Sequence, residues 1–171
     1  MAATVEIHEM TASQTGYDRT SQQIRFYSAD STATNALTNP ITIPGAASDW
    51  SYTKQLRFYI GATGPSNYIA SLKFYTNWTG GWGADPTASY VLVEYDKQGA
   101  TWGANVDTAI NGVNIETIDS GSPASMCPLT ATYSATTTYH GALLRLQMEV
   151  GNEASPGTLG NQTVTFSYDE Q

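Results

Sequence analysis

The residues able to do chemistry are few. The chain of 171 residues has two histidines, one cysteine and fifteen Asp and Glu. His8 stands two positions after Glu6 in the alternating stretch "VEIHEM", so the two share the outward face of a first strand. His140 sits in a Thr/Tyr-rich stretch just before "GALLRLQMEV". Cys127, between Met126 and Pro128, has no basic neighbour in sequence to lower its pKa and reads as a packed thiol. No Gly-x-Ser-x-Gly elbow and no phosphate-cradling glycine loop is present. Neither is a Cys-x-x-Cys, His-x-x-x-His or His-Glu-x-x-His zinc spacing. Asp18, Asp30, Asp49, Asp85, Asp96, Asp107 and Asp119 fall singly in turn-like stretches, where turn chemistry accounts for an Asp without a metal. Glu94, Glu116 and Glu149 lie in strand-like runs. Two of them could form a glycosidase pair, but a solvated strand face is the preferred reading. The expectation is a protein that is not an enzyme and needs no cofactor or metal.

Trp78 and Trp82 share the loop "NWTGGWG", and Trp102 sits in "ATWGAN". A loop Trp beside Gly can stack on a sugar ring. It can equally cover the end of a sandwich or anchor a neighbouring subunit, which is the preferred reading.

Three stretches read almost alike: "IRFY" at 24–27, "LRFY" at 56–59 and "LKFY" at 72–75. They hold three of only seven Lys and Arg. Alternation sends Ile24, Phe26, Leu56, Phe58, Leu72 and Phe74 inward. The other face then carries Arg25 and Tyr27, Arg57 and Tyr59, Lys73 and Tyr75. Cross-strand Tyr pairs and cation–π contacts stabilise a solvated sheet with no partner, by roughly 0.2–1 kcal/mol each. A flat Tyr/Arg face is also what binding hot spots are made of. These six residues, with Trp78, Trp82 and Trp102, are the candidate partner contacts.

The elements that must position them are strands. "LRLQMEV" (144–150) and "TVTFSY" (163–168) alternate apolar and polar residues. Strands are predicted also at 3–10, 23–27, 41–43, 52–60, 68–75, 89–94 and 113–118. "NVDTAI" (105–110) could hold a turn or two of helix at most. "GATGPSN" (61–67) reads as a hairpin loop pairing the strands on either side of it. The predicted fold is one all-β domain over 1–171, an antiparallel β-sandwich or jelly roll of about nine strands with long loops. Residues 1–10 form a strand or an arm available to a partner.

Only 13% of residues are charged, against about 25% in ordinary domains. The net charge of −8 argues against nucleic acid and anionic membrane as partners. Cys127 is alone, so stability must come from packing or assembly. The first ten residues have no basic n-region and do not read as a signal peptide. The sequons at Asn77 and Asn161 read as chance.

Four segments resemble the β-rich virion proteins of tailed bacteriophages. They are "VEIHEMT" (5–11), "IRFYSAD" (24–30), "DWSYTKQLRFYIGATGPSNYIASLKFYT" (49–76) and "LQMEVGNEASPGTLGNQTVTFSYDE" (146–170). Residues 80–139 carry the least of the likeness. The resemblance implies a structural role with no catalytic residues, as a head decoration (cement) protein. The implied partner is the major capsid protein, with homo-oligomerisation, a trimer favoured. The implied location is the capsid exterior after assembly in the host cytoplasm. A glycan-binding β-sandwich of a tail fibre or adhesin is the alternative.

Overall fold

The computed structural model describes residues 3–34, 39–62, 68–77, 89–97, 104–126, 132–133, 138–154 and 162–170. Among them are eleven strands: β1 (Thr4–Met10), β2 (Gly16–Asp18), β3 (Ser48–Trp50), β4 (Lys54–Ala62), β5 (Ile69–Thr76), β6 (Ser89–Lys97), β7 (Val113–Asn114), β8 (Ala124–Ser125), β9 (Thr132–Tyr133), β10 (Thr138–Gly151) and β11 (Val164–Glu170). The one helical element among the described residues is a single 3-10 turn at Ile115–Thr117. All pairings are antiparallel. The chain is an all-β sandwich, as its alternation predicts.

The large sheet runs β2-β1-β4-β10-β6-β7, with β3 pairing β10 beyond the start of β4. The small sheet has β5 at its centre, β11 on one side, and β8 and β9 on the other. The apolar residues of "LRFY" and "LKFY" meet between the sheets. Leu56, Phe58 and Ile60 from β4 face Leu72 and Phe74 from β5, all at most 1% exposed. Phe58 and Phe166 pack edge to face at 5.4 Å, and Phe74 meets Tyr95 at 5.3 Å. The sheets are tied at one margin where the Ala3 amide donates to Glu170 Oε1 at 3.0 Å.

β4 and β5 are not hairpin partners. Both edges of β4 are filled, by β1 and by β10, and β5 lies in the other sheet. The two strands thus belong to different sheets. Alternation shows which side chains turn inward, and both strands do present an apolar face. It does not show which strand lies beside which.

Three further predictions fail. Residues 23–27 and 41–43 are irregular, and 113–118 is a two-residue strand followed by the 3-10 turn. Residues 23–33 instead pack against the inward-facing side of the large sheet, Ile24 and Phe26 against the core and 27–32 around Arg19 and Lys54. There Glu9 lies between Arg19 (2.8 Å) and Lys54 (2.9 Å), all three nearly inaccessible. The Thr32 carbonyl accepts from Arg19 Nη2, and the Ser31 carbonyl accepts from Lys54 Nζ. Tyr27 is 1% exposed, with Lys54 Nζ 5.1 Å from its ring centre and its hydroxyl donating to Ala33 O at 2.7 Å.

Candidate contact surface

Strand parity places Glu6, His8 and Met10 of β1 on the outer face of the large sheet. Their cross-strand neighbours on β4 are Tyr59, Arg57 and Gln55. β10 adds Tyr139, opposite Tyr59. At one end this face is covered by residues 105–110, which form no helix. Buried Gln147 donates to the Ser51 and Thr108 carbonyls at 2.8 and 3.0 Å and accepts from Ile110 N at 2.9 Å. Gln55 Nε2 donates to Asn105 Oδ1 at 2.9 Å, and Asn105 Nδ2 to Asp30 Oδ1 at 2.7 Å. The other end carries a cluster of rings and charges.

His8 is the centre of that cluster. Its ring stacks on Tyr59 with centroids 4.8 Å apart and an interplanar angle of 17°. Tyr139 packs edge-on against both, at 5.4 and 5.3 Å. His8 Nε2 lies 2.8 Å from Glu6 Oε2, and Nδ1 lies 3.0 Å from the Tyr139 hydroxyl. The imidazole is thus held from both sides, and its side chain is 12% exposed. Gly16 makes the arrangement possible, because a Cβ there would fall 2.0 Å from the Tyr139 hydroxyl oxygen. Burial raises the Tyr139 pKa, with Tyr59 adding to the effect and Arg57 opposing it. The phenol is therefore neutral at physiological pH.

Arg57 lies across from His8 with its guanidinium 5.5 Å from the Tyr139 ring centre. Its Nε is buried without a hydrogen-bond partner, and no carboxylate pairs with it among the described residues. Burial lowers its pKa, Tyr139 pulling the other way, yet a guanidinium keeps its charge in a protein. A half-desolvated cation fixed among rigid rings is prepared for an anionic or strongly polar group.

One metal-ligating group gathers here. Glu6, His8 and Asp18 each bring a donor atom within 4.8 Å of the others. Asp18 sits on β2 directly opposite His8. Thr20 bonds to Asp18 Oδ1 through its hydroxyl (2.6 Å) and its amide (2.9 Å), which lowers the carboxyl pKa.

The predicted contact residues do not form one face. Arg57 and Tyr59 lie in this cluster. Lys73 and Tyr75 lie on the outer face of the small sheet, opposite Ser167 and Thr165. Arg25 is half-buried in an irregular segment, and Tyr27 is buried over Lys54 rather than displayed. Trp78, Trp82 and Trp102 lie outside the described residues. Of the three carboxylates weighed for hydrolysis, Glu94 is bonded to Arg145 Nε at 2.8 Å, Glu149 lies in β10, and Glu116 lies in the 3-10 turn. Sequence reasoning placed Glu6 beside His8 but missed Tyr139, Gly16 and Asp18. Tyr139 was hidden because the register shifts between His140 and Leu144, breaking the alternation that would have extended β10 back to it.

No protein-family model matches this chain, and no curated protein or solved structure matches it. Among the described residues no helix is long and apolar enough to cross a membrane.

Proposed function

We propose that the chain is a capsid decoration protein of a tailed phage, binding the outer surface of the head and stabilising the shell by bridging capsid subunits. The observation that carries this reading furthest is the Arg57–Tyr59–Tyr139–His8 cluster on the outer face of the large sheet. Its side chains stand on β1, β4 and β10 at the middle of the sheet, so little conformational freedom is left to lose on binding. Tyr and Arg on a rigid face are the residue types that dominate interface energies. The cluster offers a cation with no partner carboxylate among the described residues, on a chain of net charge −8. That charge keeps free copies apart, while the local cation favours an acidic partner surface. Each copy bridging two or more subunits would add its contacts multivalently. The glycan-binding alternative rests on Trp78, Trp82 and Trp102, for which the described residues supply no geometry.

Co-sedimentation of the purified chain with expanded heads lacking it tests the proposal. Saturation at hundreds of copies per particle, with heads that survive heating better, is the expected result. Saturation at a dozen or fewer would assign the chain to a vertex or tail part, and no binding would overturn the virion reading.

A further inference from the structure

We propose that Glu6, His8 and Asp18 form a binding site for one first-row divalent metal ion of the Zn2+ class, which ties the edge strand β2 to β1. This inference does not depend on the capsid reading.

The backbone sets the donors in place. Glu6 and His8 are two apart on one strand and so project from one face. The antiparallel register puts Asp18 directly opposite His8. One imidazole with two carboxylates is a donor set that suits Zn2+ and its neighbours, whereas Mg2+ and Ca2+ select oxygen ligands alone. Two donors bound to one zinc lie at most about 4.2 Å apart, twice a bond of ~2.1 Å. The present limit of 4.8 Å closes by a small swing of Asp18, which is exposed.

The surroundings match what such ligands need. An imidazole that binds through Nε2 carries its proton on Nδ1, and the Tyr139 hydroxyl stands 3.0 Å from Nδ1 to accept it. Stacking on Tyr59 fixes the ring plane. Thr20 holds one oxygen of Asp18 through two hydrogen bonds, which leaves the other for the ion. Glu6 Oε2 already lies at the Nε2 edge, 2.8 Å away, where an ion would replace the shared proton. No sequence motif records this site, because Asp18 joins it only through strand pairing.

Calorimetric titration of tag-free full-length chain with ZnCl2, paired with thermal melts, tests the site. One ion per chain is expected, with Tm raised by about 5–10 °C at a hundredfold excess over Kd. Asp18→Asn preserves the acceptor for Thr20 and should weaken binding at least tenfold. His8→Phe keeps a ring on Tyr59 and should abolish binding. Glu153→Gln, an exposed carboxylate on a turn outside the cluster, should change nothing. The absence of heat and of any Tm shift would overturn the proposal. So would Zn2+ affinity unchanged in both Asp18→Asn and His8→Phe, or a response to CaCl2 as large as that to ZnCl2.

Discussion

Glu9 compensates two buried cations at once. It is the carboxylate between two buried cations, Arg19 and Lys54. Removing its charge leaves both cations uncompensated away from water, where a broken buried pair typically costs about 3–5 kcal/mol. Glu9→Gln should lower the unfolding free energy measured in urea by that amount, and a loss under about 1 kcal/mol would mean that water reaches the site. Tyr27 lies beside this group, with Lys54 Nζ 5.1 Å from its ring centre. Burial raises its pKa above the usual 10.0, with Glu9 adding to the effect and Arg25 and Arg19 opposing it. A group whose folded pKa is raised contributes stability that is fully present below the unfolded value and lost as pH rises through the folded one. Urea midpoints followed from pH 8 upward should therefore fall above about pH 10. In Tyr27→Phe the fall should be shallower, although the lost bond to Ala33 lowers the plateau by about 1 kcal/mol. Parallel slopes in the two proteins would remove Tyr27 from the explanation. None of this was legible in "IRFY". Its alternation resembles that of the other two copies, but among the described residues 23–27 pair with no strand, and Tyr27 packs over Lys54 instead.

At the scale of the element, β5 shows how a strand can be read correctly and still hide its irregularity. Its pairing with β11 slips between Ser167 and Asp169. Ser71 absorbs the extra residue with φ of 54°, in the left-handed region. The bulge resets parity, so that Ile69 and Leu72 both face the core although they are three apart, and each is 0% exposed. A left-handed conformation costs an L-residue roughly 1–2 kcal/mol, and glycine returns part of that gain through its freer unfolded chain. Ser71→Gly should therefore stabilise by about 0.5–1 kcal/mol, and Ser71→Val should destabilise by more; both are read from Tm. A loss of stability in Ser71→Gly would show that the serine side chain holds the bulge. In the sequence, "IASLKFY" announces its strand by Leu72 and Phe74, and the position of the bulge by nothing.

For the whole molecule, the consequence of two sheets is that the basic–Tyr pairs are separated. Arg57 and Tyr59 stand on the large sheet, Lys73 and Tyr75 on the small one. A partner engaging the large sheet would leave the second pair free. Arg57→Glu combined with Tyr59→Ala should weaken particle binding by roughly thirtyfold, the equivalent of one hot spot of about 2 kcal/mol. Lys73→Glu with Tyr75→Ala should leave occupancy near that of the wild type. The reverse pattern would move the contact to the small sheet, and unchanged occupancy in both would remove these faces from the interface.

The sequence by itself determined that the chain is all β, where most long strands run, that Leu56, Phe58 and Ile60 of β4 and Leu72 and Phe74 of β5 turn inward, and that Glu6 and His8 of β1 turn outward. These are local properties, since alternation is written in neighbouring residues. Only the tertiary structure decided that β4 and β5 belong to different sheets, that Tyr27 is buried over a charged triad, and that Asp18 and Tyr139 converge on His8. Those outcomes depend on which strand edges are already filled and on pairing between residues as far apart as His8 and Tyr139, for which a one-dimensional pattern carries no signal.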